Sequence, residues 1–416
     1  GGLQIRLSPE ASARLGPRAG SDVDALAEYW RGRALLEHSD RPEDVEAAVS
    51  AFEAALVKDA DLAEAQAGLG EAFWGLYSRT GEPAWVDRAI QASERALALA
   101  PSQQRVWLTL ALVHNGTGRA DLALEDLRRA ISLQPNGDDA YRLMGGVLSE
   151  LGRMEEALQA YDQAIERRPG YWRNHQRRGI LLLRMGRYDE ANQAFETVTQ
   201  LQPDSTSGYQ ALGTLLQITG DLEGARQNYE KALQIAPTAG SYSNLGTIHY
   251  WDGRFEDAAE AYRHAIELFP RSALYHRNLG DTYTRMGQMH SAKASYGTAV
   301  SLLEQDLEVN PKDVVALTDL AVCMMKIGQL GRAEQHIHEA LALAPDDGDV
   351  LYAQSVVAAL AGRAEEALPL LRRAVENGVS FYLVERDDDL ASVRSLPGYE
   401  AWLRSSSSPN RQGHRR

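Results

Sequence analysis

The chain of 416 residues reads as all-α, a solenoid of repeated helix pairs, on three observations. Prolines 101, 135, 169, 203 and 237 are spaced by 34 residues each time, and Pro270, Pro311 and Pro345 follow after 33, 41 and 34. A fixed period of that size means one supersecondary unit stacked on copies of itself. Inside each period the small residues recur, as in "LGRMEEALQAYDQAIERRP", "MGRYDEANQAFETVTQLQP", "TGDLEGARQNYEKALQIAP" and "DGRFEDAAEAYRHAIELFP". Third, no Gly-rich phosphate loop, GxSxG elbow or HExxH helix interrupts the series.

Each recurring residue has a mechanical reason. Gly152, Gly186, Gly220 and Gly253 end a first helix, where glycine accepts a left-handed backbone without steric cost. Ala157, Ala191, Ala225 and Ala258 stand where only a small side chain lets the second helix approach the first. Proline then closes the pair because it cannot continue a helix. The boundaries that follow are 22–60, 63–101, 104–135, 138–169, 172–203, 206–237, 239–270, 273–311, 314–345 and 348–379, ten repeats in all. In repeat two, "YSRTGEPAWVD" is expected to lengthen the connection between helices; in repeat eight, "AVSLLEQDLEVNP" adds seven residues, about two turns, to the second helix. Residues 1–21 read as a loose segment or the end of a preceding domain, although "LQIRL" alternates like a strand. Residues 380–404 break the period yet keep Leu390, Tyr399, Trp402 and Leu403, as a helical cap over the last apolar face would. Residues 405–416, "SSSSPNRQGHRR", have the composition of a disordered tail.

Leu-Gly in the first helices (Leu212-Gly213, Leu245-Gly246, Leu279-Gly280), followed by Gly, Ala, aromatic, Ala and Pro, resembles the tetratricopeptide repeat (TPR). The resemblance implies a right-handed superhelix with a concave groove lined by first helices, and a non-catalytic protein or peptide partner in that groove. The run from "DALAEYWRGRALL" through "LEQDLEVNPKD" to "NGVSFYLVERDDDLASVRSLPGYEAWL" is similar to the C-terminal repeat region of multidomain bacterial signalling proteins. Their N-terminal parts are serine/threonine kinases, nucleotide cyclases or winged-helix regulators, so the resemblance implies a sensing or scaffold half.

Bulk properties limit the partners. A formal charge of −15 argues against a duplex nucleic acid or an anionic membrane, both of which need a broad cationic surface. No apolar run approaches the length of a membrane span. Cys323 is the one cysteine, so no disulfide forms within the chain and a cytoplasmic setting is expected; a packed thiol is its default role. His336 and His338 are two apart on a helix and point to different sides, which argues against a metal pair, and no cofactor motif is present.

In the resembled family, positions 2, 6, 9 and 13 of each repeat face the groove, and i, i+4, i+7, i+11 does form one stripe. Repeat five gives Arg173, Arg177, Ile180, Arg184; repeat six Ser207, Ala211, Thr214, Ile218; repeat seven Gly240, Asn244, Thr247, Trp251; repeat eight Leu274, Asn278, Asp281, Arg285. Asn244 and Asn278 hold one position in successive repeats, and an amide ladder can pair with the backbone of an extended peptide. Tyr250 and Trp251 suit an aromatic or apolar anchor, with Asp281 and Arg285 beside them. Residues 167 to 187 carry seven arginines and no acid, which raises an anion or nucleic-acid site as an alternative, self-association being another. Asp139 and Glu150 are expected to offset Arg173 and Arg184, whereas Arg177 faces no acid and Arg178 stands where other repeats have leucine or methionine. Arg173 and Arg177 occupy positions that are basic in relatives clamping chaperone carboxylates, but Leu108, Leu112 and Leu143 replace the rest of that clamp, so no chaperone clamp is expected.

Overall fold

The computed structural model describes residues 22–37 and 42–405; the expectations for residues 1–21 and for the tail beyond Ser405 lie outside the described residues. Helices run α1 Val23–Glu37, α2 Pro42–Lys58, α3 Ala63–Thr80, α4 Pro83–Leu99, α5 Gln104–Gly116, α6 Ala120–Leu133, α7 Asp138–Glu150, α8 Met154–Arg167, α9 Trp172–Arg184 and α10 Tyr188–Leu201. They continue as α11 Thr206–Thr219, α12 Leu222–Ile235, α13 Ala239–Trp251, α14 Phe255–Leu268, α15 Ala273–Arg285, α16 Met289–Val309, α17 Val314–Lys326, α18 Leu330–Leu343, α19 Gly348–Leu360 and α20 Ala364–Glu376. After the ten pairs come α21 Phe381–Arg386, a 3-10 turn Asp388–Leu390, α22 Ala391–Arg394 and α23 Pro397–Ser405. Odd-numbered helices up to α19 are thus the first, and even-numbered ones the second, of each pair.

The sixth pair shows why this sequence folds this way. Ser205 caps α11 by accepting from Ser207 N, and Asp221 caps α12 by accepting from Gly224 N, each satisfying an amide the helix leaves free. Between them Gly220 takes φ 95°, a conformation that costs glycine least. Ala225 and Ala232 are fully buried, and Tyr229 reaches across so closely that a Cβ at Gly213 would lie 2.6 Å from its ring. The Leu-Gly signature is therefore a seat for the aromatic of the second helix.

Two compact units divide the repeats. The first holds α1–α6, with Phe52 fully buried among Tyr29, Val45, Leu69 and Phe73. Its extra residues in repeat two do not lengthen the connection as expected. They extend α3 to 18 residues and α4 to 17, because Gly81 at φ 69° stops one helix and Pro83, lacking a donor that position would waste, starts the next.

The second unit holds α7–α23. Its α16 has 21 residues where α14 has 14, so the two extra turns do lie in that helix. Val384, Leu390 and Val393 of the cap are fully buried with Leu320, Met324, Val356 and Leu371, covering the apolar end of the last pairs. Phe381, Tyr399 and Trp402 pack edge-on or stacked at 5.2–6.3 Å as its outer aromatic layer. Among the described residues no helix is long and apolar enough to cross a membrane.

Candidate partner-binding face

The first helices of the second unit present their position-13 residues as a row: Arg184, Ile218, Trp251, Arg285 and, carried into repeat nine, Lys326. This row is occupied by the chain itself. Gly378, at φ 105°, lies so near Arg184 that a Cβ on it would be 2.7 Å from the Arg184 carbonyl. Ser380 Oγ donates to the Ile218 carbonyl at 2.8 Å. The Tyr382 ring stands edge-on to Trp251 at 6.0 Å and covers Gly220, where a Cβ would meet it at 2.9 Å. Tyr250 Oη donates to Asp388 Oδ2 at 2.8 Å, Arg285 pairs with the same carboxylate, and Lys326 holds Asp389 and, at 2.9 Å, Asp281. Tyr352 of α19 donates to Asp387.

A polypeptide segment from Gly378 to Asp389 therefore crosses the ends of α9, α11, α13, α15 and α17 in turn. Burial pushes the Asp389 carboxyl up to about 6 against the pull of Lys326, with Asp387 and Asp281 adding to the rise. Lys326 is pulled down by burial, but Asp281 and Asp389 outweigh that and raise it. Burial, then the bond to Asp388, raises Tyr250 as well.

Four residues expected to meet a ligand are thus committed inside the chain: Tyr250, Trp251, Asp281 and Arg285. Asp281 also accepts from Tyr296 Oη at 2.6 Å. The physical reason is the acidic run Asp387–Asp389, which supplies carboxylates to the cations at the helix ends. Lys326 was within reach of sequence reasoning, since position 13 of repeat nine falls on it. Of the acids it binds, Asp281 holds position 9 of repeat eight, but Asp389 carried no repeat register and gave no such signal.

The arginine-rich stretch divides likewise. Arg178, a candidate partner-binding residue standing where other repeats have leucine or methionine, finds its acceptor within the chain: Nε donates to Asp162 Oδ1 at 2.7 Å, on the second helix of the preceding repeat. Arg167 bonds Gln163 and, at 3.0 Å, Tyr141 Oη, with its guanidinium 3.9 Å from that ring. Arg173 bonds Tyr171 Oη at 3.4 Å and lies 5.2 Å from the Trp172 ring, while Asp139 pairs with Arg142. Arg184 bonds Ser149 Oγ at 2.9 Å and reaches Asp347 at 3.5 Å; Arg187 pairs with Glu190 at 2.7 Å. Arg177 is exposed and makes no hydrogen bond or ion pair among the described residues.

Asn244 spends one long bond, to Thr214 Oγ1 at 3.4 Å, and the Asn278 amide spends none among the described residues. Arg177, Asn244 and Asn278 all hold position 6 of their repeats. Elsewhere, Cys323 is fully buried and burial pushes its thiol up to about 12, as packing implies. His336 pairs with Glu339 on its own helix, and among the described residues no cluster suits a metal ion.

Comparison with known proteins agrees with this architecture. One family model described as Tetratricopeptide repeat matches residues 102–170, 204–271 and 237–312, and a second of the same description matches 148–216 and 294–360. Together they run unbroken from residue 102 to residue 360. A search of curated proteins finds no match. Among solved structures, a chain of the APC/C hetero-tetramer Cut9-Hcn1 is similar at 18% identity and TM-score 0.45, over 92% of this chain and 79% of that one. MamA gives 24% identity and TM-score 0.32 over 36% and 89%, and pilF of Pseudomonas aeruginosa 24% and 0.40 over 51% and 94%. Two matching models that together span more than half of its length, on the helix pairs described above, make the chain a member of the tetratricopeptide-repeat family.

Proposed function

We propose that the chain is a non-catalytic interaction scaffold that binds an extended peptide on the inner face of repeats four to eight, using positions 2, 6 and 9 of the first helices. The observation that carries this reading is the Gly378–Asp389 segment: the face already holds one polypeptide at its position-13 row, while the adjoining position-6 row of Arg177, Asn244 and Asn278 stays largely unspent. Amides there can pair with the backbone of a second strand without reading its side chains. The resemblance to repeat regions of bacterial signalling proteins supports assigning the scaffold to the sensing half of such a protein, in the cytoplasm, where its single thiol stays reduced.

The test is a peptide-array screen on the full chain, followed by titration of the strongest ligand. Changing both Asn244 and Asn278 to Ala should weaken binding at least tenfold, as losing two to four hydrogen bonds of about 1 kcal/mol each would. Unchanged affinity in that double variant would put the partner on another surface.

A further inference from the structure

At position 24 of five successive repeats an aromatic of the second helix lies under the first. In repeats six, seven and eight it is a tyrosine whose hydroxyl has the position-9 side chain of its own repeat among its partners. Tyr229 meets Thr214 at 3.3 Å as well as Gln217 at 2.7 Å, Tyr262 meets Thr247 at 2.9 Å, and Tyr296 meets Asp281 at 2.6 Å as well as Thr284 at 3.2 Å. Repeat five has Phe195 there, with no hydroxyl, and an apolar Ile180 at position 9. Repeat four departs from the rule. Its aromatic is Tyr161, but position 9 is Gly146, and the hydroxyl has no hydrogen-bond partner among the described residues.

The missing side chain leaves a notch. A Cβ at Gly146 would meet nothing nearer than the Tyr161 hydroxyl, 3.9 Å away. Three arginines, Arg177 on the neighbouring first helix and Arg142 and Arg184, act electrostatically on that hydroxyl. Arg142, one turn before Gly146 on α7, pairs with Asp139 through a terminal nitrogen, but its buried Nε has no partner. Arg184 has Ser149 and Asp347. Arg177, from the neighbouring α9, has none among the described residues and is the charge the Tyr161 hydroxyl feels most strongly. Glu150, one turn beyond Gly146, is the acid that opposes these arginines at the Tyr161 hydroxyl.

We infer that the notch between Gly146, Tyr161 and Arg177 binds an oxyanion, the carboxylate or phosphate group of a peptide on the inner face. Tyr161 donates its O–H, and Arg177 supplies a charge-assisted bond from a planar fork that fits carboxylate and phosphate alike. The reading of the inner face as a peptide surface provides only the source of the anion; the notch itself rests on the comparison of repeats.

The experiment uses the full chain at low salt, titrated calorimetrically with inorganic phosphate and, separately, with acetate. One of the two should bind saturably, and which one names the ligand group. Arg177→Ala should weaken that binding at least tenfold. Gly146→Thr is the sharper variant, because it removes no charge: it fills the notch and gives Tyr161 the partner its counterparts have in repeats six and seven. It should abolish probe binding while leaving the thermal midpoint unchanged or higher, since Gly in a helix is itself destabilising. Failure of both probes to bind, or binding undiminished in Gly146→Thr, would overturn the site. Probe binding that Gly146→Thr removes, in a protein no peptide recognises, would uphold the notch and sink the peptide reading. Peptide affinity that depends on Asn244 and Asn278 with no probe bound would do the reverse.

Discussion

Replacing Lys326 by Met should reveal how the cap is held. The Lys326 side chain is 14% exposed and its ammonium joins two carboxylates, Asp281 with a side chain 28% exposed and Asp389 with one 18% exposed, so little solvent replaces it when it is removed. Asp281 is tied to Tyr296 and cannot swing away. Breaking a buried pair by deleting one partner costs about 3–5 kcal/mol, because the other charge is left uncompensated. The deficit should depend on pH in a defined direction. Asp389 has its folded pKa raised to about 6, so the ionised group costs stability at neutral pH, and that cost disappears as pH falls through 6. For the parent chain this one group therefore makes stability rise as pH falls from 7 toward 4. In Lys326→Met the group loses its cation and its pKa climbs further, so the deficit against the parent should be largest at pH 7.5 and smaller at pH 5. Guanidinium unfolding at both pH values gives the totals, and hydrogen exchange across 380–394 locates the loss. Adding Asp389→Asn to Lys326→Met should recover much of it. A deficit below about 1 kcal/mol at pH 7.5, the size of a solvated surface pair, or one equal at both pH values, would refute the account of a buried, proton-sensitive lock.

Leu390 is fully buried in the cap core, so Leu390→Ala should cost about 2–5 kcal/mol and make residues 380–394 accessible to limited proteolysis. Asp388 and Arg285 are each 44% exposed, so Asp388→Asn should cost less than about 1 kcal/mol in the same denaturation assay. Gly213→Ala places a carbon 2.6 Å from the Tyr229 ring; overpacking of about 1–3 kcal/mol should outweigh the gain in helix propensity and lower the thermal midpoint. Cys323, with its thiol near 12 and no exposed surface, should resist a chromogenic disulfide reagent at pH 8 until denaturant is added.

Local chemistry was legible in the sequence, and distant chemistry was not. Period, glycine caps and the small residues at the helix crossing concern neighbours within about one repeat, so they leave a pattern that recurs. Repeat two misled because its loop-like "RTGEP" holds the two residue types that stop and start helices most abruptly. Arg178 misled because its position predicts leucine, while the acceptor that suits an arginine, Asp162, lies 16 residues earlier on another helix. The closure of the position-13 row was out of reach for a different reason. Tyr250 and Asp388 are 138 residues apart, and Arg184 and Asp347 are 163 apart, so no periodicity links them. A repeat register says which side chains share a face; it does not say what covers that face.

The covered row also bears on the proposed anion site, which lies in an acidic chain. Along α9 to α17, positions 2, 6 and 13 carry Arg173, Arg177, Arg184, Arg285 and Lys326. Of these, Arg184, Arg285 and Lys326 are offset by Asp347, Asp388 and Asp389, and Arg173 is bonded to Tyr171. Three of these five cations are held in ion pairs, so a nucleic-acid backbone would find a broken rather than a continuous positive track. A ligand read by Arg177, a tyrosine hydroxyl and two amides is distinguished by where its single anionic group falls relative to an extended backbone. Its affinity should accordingly fall with added salt as one screened charge pair does, which is a shallow dependence over the range where duplex binders lose several orders of magnitude. A steep loss of peptide binding between 50 and 200 mM salt would mean that the committed carboxylates give way to the ligand, and that the cap is a competitor for the face rather than part of its wall.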